Sequence, residues 1–398
     1  MTDHNYALEL FPELAKDVRS VTTGVLPSQS IRQLIRAGGI SASSPISEDQ
    51  IQPASLDLRL GSTAYRLQAS FLPGRNSTVE RKLEDFAMTK LDLSSTAVFE
   101  RGCVYMVPLM EQLRLPAGIS AKANPKSTTG RLDIFTRLIT DYGDEFERVP
   151  EEYSGPLYAE IVPRAFSVIV RPSTRLSQVR FIRGNRLSRD AELHDLHKEE
   201  VLVYLDEDSP GEPRIHKGLK LSVNLRARSA SEIVAYRAKK NAPIIDLVRV
   251  DAYDPGEFWE LIHSCATGRL ILNPGDFYIL ASRERVRVPP HFAAEMVPFD
   301  PSVGEFRIHY AGFFDPGFGY GSSDIRGTKA VLEVRAHEVP FAIEDGQVVG
   351  RLVYIRLLAK PDKVYGTNIG SSYQGQELAL SKQFRRTVLD PNVVGVAR

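Results

Sequence analysis

Between Gln52 and Gly61 the chain reads Gln-Pro-Ala-Ser-Leu-Asp-Leu-Arg-Leu-Gly. Leu56, Leu58 and Leu60 alternate there with Asp57 and Arg59, which predicts a half-buried strand closed by a glycine. Short alternating or apolar runs recur at Val104–Leu109, Leu157–Val162, Phe166–Val170 and Leu176–Ile182. They resume at Val201–Leu205 and Leu219–Leu225, with proline and glycine turns such as Pro116-Ala-Gly118 between them. Helical spacing is rarer. Ser28 stands as an N-cap before Ile31, Leu34 and Ile35, and Gly38-Gly39 ends that helix. A second amphipathic helix is expected near Pro255–Ile262, where Trp259 serves as a core anchor, and a third lies in the charged stretch Arg183–Glu200. Many short strands and few helices predict a mainly β chain, a distorted β-barrel or jelly-roll-like sandwich.

The pattern also repeats. Glu111-Gln-Leu-Arg-Leu-Pro116 returns as Glu284-Arg-Val-Arg-Val-Pro289, 173 positions later. Gly102 and Gly275 keep the same offset, as do Glu160 and Glu333, where Leu157-Tyr-Ala-Glu-Ile161 is echoed by Ala330-Val-Leu-Glu-Val334. A constant offset over some sixty residues predicts two similar barrels in tandem. The expected division is an N-terminal extension (1–23), a first barrel (24–183), a linker (184–214), a second barrel (215–360) and a C-terminal tail (361–398).

Composition removes several classes of function. Among 398 residues, 50 basic and 50 acidic side chains cancel, so no nucleic acid is expected as partner. No run of 18 apolar residues suggests a membrane span, and Met1-Thr-Asp-His-Asn-Tyr6 lacks the look of a signal peptide. The two cysteines, Cys103 and Cys265, form no C-x-x-C and fit a reducing cytoplasm. His194-Asp-Leu-His197 has ligand-like spacing, but Lys198-Glu-Glu200 marks an exposed helix. His337-Glu338 lacks the second histidine of H-E-x-x-H, and the H-x-E…P-C-x-x-C pattern of zinc deaminases is missing. No protein-bound metal, and no zinc, is expected.

The stretch richest in chemistry is Lys126-Ser-Thr-Thr-Gly-Arg131. Hydroxyls and bared N–H groups can donate to phosphate oxygens while Lys126 and Arg131 neutralise charge. Pro125 precedes Lys126, so this is not a P-loop. The second copy places Phe299, Asp300, Pro301 and Gly304 opposite Lys126, Ser127, Thr128 and Arg131, so only the first copy is expected to bind phosphate. Gly317-Phe-Gly-Tyr-Gly321 lacks phosphate-loop spacing and is expected to be a flexible hairpin insertion.

These residues together resemble the dCTP deaminase branch of the dCTP deaminase/dUTPase superfamily, in a long form with two barrels. Gln52–Gly61 is similar to the family's first strand motif. Lys126-Ser-Thr-Thr-Gly-Arg131 resembles its Arg-Ser-Ser-x-Ala-Arg signature, and Gly155-Pro-Leu-Tyr-Ala-Glu160 resembles the strand that presents its catalytic carboxylate. Leu176-Ser-Gln178 matches a strand near the barrel's end, and Tyr373-Gln-Gly-Gln376 the family's C-terminal Tyr-x-x-Gln tail. The family's Asp-Pro-Gly-Trp turn is replaced in the first copy by Asp141-Tyr-Gly-Asp-Glu-Phe-Glu147. A similar Asp315-Pro-Gly-Phe318 stands in the second. The tail lysine of the family is Ser372 here, with Lys363 or Lys382 as substitutes.

The resemblance implies dUTPase-like barrels and hydrolysis of dCTP to dUTP and ammonia, supplying dUTP for thymidylate synthesis. Glu160 would be the general base that activates water against cytosine C4, with Ser127 and Arg131 as its catalytic partners. Lys126, Thr128, Thr129, Gly130, Tyr158 and Gln178 would bind substrate, and Tyr365, Tyr373 and Gln376 would close over the triphosphate. Magnesium would arrive with the nucleotide. Barrels of this family form trimers with sites between subunits, so a homotrimer is expected. Two other readings stay open. One is dUTP pyrophosphatase action, alone or coupled to deamination, with Asp141 or Asp144 activating water at phosphorus. The other is a nucleotide sensor without turnover.

Overall fold

The computed structural model describes residues 22–184, 188–205, 209–226, 229, 232–298, 306–308, 312–320, 325–336, 338–366 and 373–386. The repeated pattern builds the same two sheets twice. In the first copy one sheet runs, in spatial order, Ala87–Asp92, Thr63–Leu67, Val104–Arg114, Ser154–Pro163 and Ile134–Thr140. The sheet facing it carries Gly24–Val25, Ser177–Arg183, Ile119–Pro125 and Arg148–Val149, with Leu56–Leu58 against Ser177–Arg183. In the second copy the order Trp259–His263, Ile233–Ala238, Tyr278–Val286, Thr328–Ala336, Phe306–Ile308 matches the first sheet strand for strand. Leu219–Ser222, Val348–Arg356, Phe292–Pro298 and Phe313–Phe314 form its companion. The long pairs are antiparallel. The architecture is thus the expected pair of dUTPase-like distorted β-barrels, mainly β with a few short helices.

Several local expectations change. The helix Ser28–Arg36 buries Ile31 and Leu34 as its spacing demands, but its cap is Pro27 and the Ser28 hydroxyl bonds Asp362 instead. Leu56–Leu58 is buried on both faces, not one. Asp57 and Arg59 are nearly as hidden as the leucines, because Arg59 pairs with the buried Glu111 at 2.7 Å and Asp57 with Lys126. Pro255–Phe258 is a single turn, after which Trp259 opens a strand. Residues 184–214 contain the helix Asp190–Glu199 and also Val203–Tyr204, which pairs with Tyr278–Val286 of the second barrel. Gly317–Tyr320 is no loose insertion. Gly319 has φ +66°, and a Cβ there would stand 2.0 Å from the Val286 carbonyl oxygen, so only glycine lets the turn sit against that strand. Residues 1–21, Phe299, Asp300, Pro301, Gly304, Gly321, His337 and Ser372 lie outside the described residues.

The barrels share a core. Phe166 of the first meets Phe258 and Trp259 of the second edge-on at 5.7 and 5.3 Å, and Phe384 from the tail closes the cluster against both rings. Such pairs are worth about 0.5–1.5 kcal/mol each beyond the area they bury. Backbone pairing also crosses the boundary, with Ile245–Asp246 running parallel to Val168–Val170. Arg180, 1% exposed, donates to the Ala294 and Phe314 carbonyls, at 3.1 and 3.4 Å, and stacks over Phe313. Among the described residues no helix is long and apolar enough to cross a membrane.

Candidate active site between the two barrels

A cavity of about 700 Å³ opens where the barrels meet, and each barrel supplies a different part of its wall. From the first barrel comes the turn after Ile119–Pro125. Lys126 is extended and anchored by its N–H to the Leu176 carbonyl at 2.9 Å, and Ser127–Gly130 then forms one helical turn. The turn brings the Lys126 and Arg131 charges and the Ser127 and Thr128 hydroxyls to the cavity, groups that suit an anion. Lys126, Ser127, Thr128 and Arg131 line it, as does Gln178 from the adjacent strand, whose amide oxygen accepts from Ser55 at 3.1 Å. Lys126 pairs with Asp57, whose carboxyl burial pushes up while the ammonium opposes the shift.

The opposite wall belongs to the second barrel. The strand Thr328–Ala336 points Val331 and Glu333 inward, residues i and i+2 sharing a face. Burial pushes the Glu333 carboxyl up to about 8, with the charge of Arg131 working against the rise and that of Asp133 adding to it. Phe313, Phe314, Asp315 and Phe318 line the same wall, so the Asp-Pro-Gly-Phe turn does face the site. Burial pushes Asp315 up to about 6, and the Arg180 guanidinium at 3.5 Å opposes that.

The tail lies across the opening as a strap of the same chain. Lys363 donates to the Glu48 and Ile51 carbonyls, and the Tyr365 ring sits 5.7 Å from Phe318, its phenol pushed up by burial. Tyr373 stacks on the Arg131 guanidinium at 3.7 Å, and its hydroxyl lies 3.0 Å from that of Thr128. Arg131 donates to the Ala379 carbonyl at 3.1 Å, and Gln376 to that of Lys329 at the same distance. Tyr365, Tyr373, Gln376 and Lys382 all line the cavity.

Four of the residues expected here stand elsewhere. Glu160 is fully buried in the first barrel, where Arg137 Nε and Nη2 reach its carboxylate at 3.0 and 2.5 Å and stack on Phe146. Tyr158, two residues before it on the same strand, packs with Phe71, Leu83 and Ile139 and does not line the cavity. The helix Val79–Phe86 covers this cluster, burying Val79 and Leu83. Thr129 is 2% exposed and spends its hydroxyl on the Leu176 carbonyl at 2.7 Å, and Gly130 is buried beneath the turn. Glu333, Asp315, Phe313 and Phe318 are the residues the sequence reading passed over.

The cavity thus combines cations and hydroxyls, flat aromatic rings and a carboxyl whose pKa is pushed up to about 8. That suits a planar heterocycle carrying an anionic chain, with a proton to be moved at the ring. No three metal-ligating side chains gather among the described residues. Of the histidine pair, His197 accepts from the Leu202 N–H at 3.2 Å.

Both barrels have counterparts among known proteins. Residues 22–185 match the family model of the 2'-deoxycytidine 5'-triphosphate deaminase (DCD) N-terminal domain, and 189–384 that of its C-terminal domain. A "dCTP deaminase, dUMP-forming" from Halobacterium salinarum is 34% identical over 111 residues, 27% of this chain and 52% of that protein. A dCTP deaminase from Natronomonas pharaonis is 31% identical over 109 residues, again 27% and 52%. The chain spans about half the length of the curated relatives it matches. The crystal structure of 2'-deoxycytidine 5'-triphosphate deaminase from Agrobacterium tumefaciens superposes with a TM-score of 0.80 at 50% identity, covering 86% of this chain and 100% of that one.

Proposed function

The chain belongs to the 2'-deoxycytidine 5'-triphosphate deaminase family, and from that premise we propose that it hydrolyses dCTP to dUTP and ammonia between its two barrels. Glu333, in place of Glu160, is the acid–base group of this reading. One observation carries it: Glu333 shares the cavity with Ser127 and Arg131, whereas Glu160 is enclosed with Arg137. Glu333 takes a proton from water as the hydroxyl adds to C4, and the proton passes to N3. The tetrahedral carbon then bears a hydroxyl and the amino group. Glu333 moves the hydroxyl proton to the amino nitrogen, the C4–N bond breaks, and ammonia leaves a uracil carbonyl behind. A carboxyl whose pKa lies near 8 can both take and return protons. Ser127 and Arg131 orient water and oppose the charge that develops at C4.

Lys126, Thr128, Lys363 and Lys382 are assigned to the phosphates, Gln178 and the aromatic wall to the nucleoside, and Tyr365, Tyr373 and Gln376 to the closing strap. Magnesium is proposed to enter with the triphosphate, held by phosphates and water. A reducing cytoplasm is the proposed compartment, since neither Cys103 nor Cys265 forms a disulfide.

A second reading adds cleavage of dUTP to dUMP and pyrophosphate. The names of several relatives favour it, and so does Asp315, a carboxyl near the aromatic wall that could activate water at phosphorus. Asp141, considered for that part, caps the Val79 N–H at 2.8 Å, and Asp144 pairs with Arg75 at 2.6 Å, both away from the cavity. Purified protein with dCTP and magnesium, followed for ammonia, dUTP, dUMP and pyrophosphate, separates these readings from a sensor that binds without turnover. Turnover surviving in Glu333→Gln would overturn the assignment.

A further inference from the structure

Two residues beyond Arg131 in one barrel, and two beyond Glu333 in the other, stand Asp133 and Arg335. They are bonded to each other across the barrel boundary. Arg335 Nε lies 3.3 Å from Asp133 Oδ1 and its Nη2 bonds Oδ2, a two-pronged contact that fixes orientation as well as distance. The remaining nitrogen, Nη1, donates to the Gly275 carbonyl at 2.6 Å. Asp133 is fully buried and takes φ +55°, a backbone conformation seldom adopted outside glycine. Neither residue lines the cavity. In the copies' own alignment the equivalent positions carry Phe306 and Val162, so the pair exists only where the two barrels face each other.

We propose that Asp133 and Arg335 are positioning residues for deamination, fixing the turn that carries Arg131 against the strand that carries Glu333. The inference rests on the reading of Glu333 as the acid–base group. In the first barrel an arginine bonds the glutamate directly, Arg137 to Glu160. In the second, the arginine on Glu333's own strand, Arg335, bonds Asp133 of the other barrel. The pair therefore holds the two halves of the site in register. Asp133 also sets how tightly Glu333 holds its proton, because its negative charge lies close by. The groups around Glu333 can be named element by element. The turn contributes Arg131 and Asp133, and Glu333's own strand Lys329 and Arg335. The strand Tyr278–Val286 places Ile279 opposite it, with Arg285 engaged by Glu377, and Phe306–Ile308 brings Ile308 beside Val334. The strap adds Tyr365, Tyr373 and Glu377.

The test is the pH dependence of kcat and KM for dCTP in the full chain. Asp133→Asn is expected to lower kcat tenfold or more while KM stays within threefold. The rising limb of kcat should also move to lower pH, since loss of a nearby negative charge lets Glu333 ionise sooner. Arg335→Lys keeps the charge and loses the fork, so kcat should fall with that limb unmoved. Should Asp133→Asn fail to fold, Arg335→Lys carries the test alone, and a kcat within twofold of the parent there overturns the proposal. A limb that does not move in any folded Asp133 variant, or a kcat within twofold of the parent, overturns the proposal. Glu333→Gln run alongside keeps the two ideas apart: activity surviving there sinks the acid–base assignment whatever Asp133 does.

Discussion

Lys122 and Glu295 occupy the same position in the two copies, 173 residues apart, and they are ion-paired with each other. Equivalent residues touch only beside the rotation axis that relates their domains. The two barrels therefore face each other about an axis that passes close to this pair. That arrangement is what brings the Lys126–Arg131 turn of one barrel to the Glu333 strand of the other.

The first prediction follows from it. The expected homotrimer would complete its sites between subunits, whereas here a single chain already brings the Lys126–Arg131 turn and Glu333 to one cavity. Specific activity per chain should stay constant on dilution, whatever the assembly at high concentration. A specific activity that falls as light scattering reports dissociation would show that a partner completes the site.

The two glutamates should behave oppositely. Glu333→Gln keeps shape and removes the proton carrier, so kcat should drop by about 10²-fold or more while dCTP still binds. Glu160→Gln leaves Arg137 facing a neutral amide and should cost about 1–3 kcal/mol of stability with turnover within a few-fold. Steady-state kinetics together with urea unfolding of both variants checks the pair. The reverse pattern would put the site back in the first barrel.

This is also where sequence reasoning ran out. Alternation at Leu56–Leu60 and the constant offset of the repeat were enough for two β-barrels, because side-chain period and spacing are local properties. The Lys126–Arg131 turn was legible for the same reason. Gly155–Glu160 reads as a motif completed within its own copy, which favours Glu160 over Glu333. A signal toward Glu333 is also in the sequence. Each copy had lost what the other kept, the first its Asp-Pro-Gly turn and the second its cationic turn. Complementary loss of this kind marks one site shared between copies. What no spacing could reveal was Arg137 folding back onto Glu160, or Asp57 and Arg59 buried as paired charges on a strand that looked half exposed.

The strap gives a third prediction. Phe384 is 3% exposed and closes the aromatic cluster of Phe258 and Trp259, so the tail is held at its far end by the shared core. Phe384→Ala should destabilise the protein by about 3–5 kcal/mol. Truncation after Lys363 should cost more than a lost lid, because it also uncovers those rings. Thermal unfolding of both proteins tests this. A truncated chain as stable as the parent would mean that the tail is only a cover.

The last prediction concerns pH. Glu147 is the residue after Phe146, on which Arg137 stacks, and its backbone is tied on both sides, its N–H to the Leu138 carbonyl at 3.0 Å and its carbonyl accepting from Ala123 at 2.8 Å. The residue has φ +66° and is half-buried, but its Oε2 is buried without a hydrogen-bond partner, near Lys122 and Glu295. Burial pushes its carboxyl up to about 8, more than Arg137 and Lys122 bring it down. The folded chain thus keeps a proton that the unfolded chain releases near 4.5. Its contribution to stability is complete below that value and is lost as pH rises toward 8. At its steepest one such group costs about 1.4 kcal/mol per pH unit. Glu333 adds a second contribution of the same sign. Urea midpoints should therefore fall between pH 5.5 and 7.5. Glu147→Gln cannot ionise and should flatten the slope by about one group's worth, leaving the part due to Glu333. Equal slopes in the parent and Glu147→Gln would mean that Glu147 is already ionised in the folded protein, with Arg137 and Lys122 outweighing its burial.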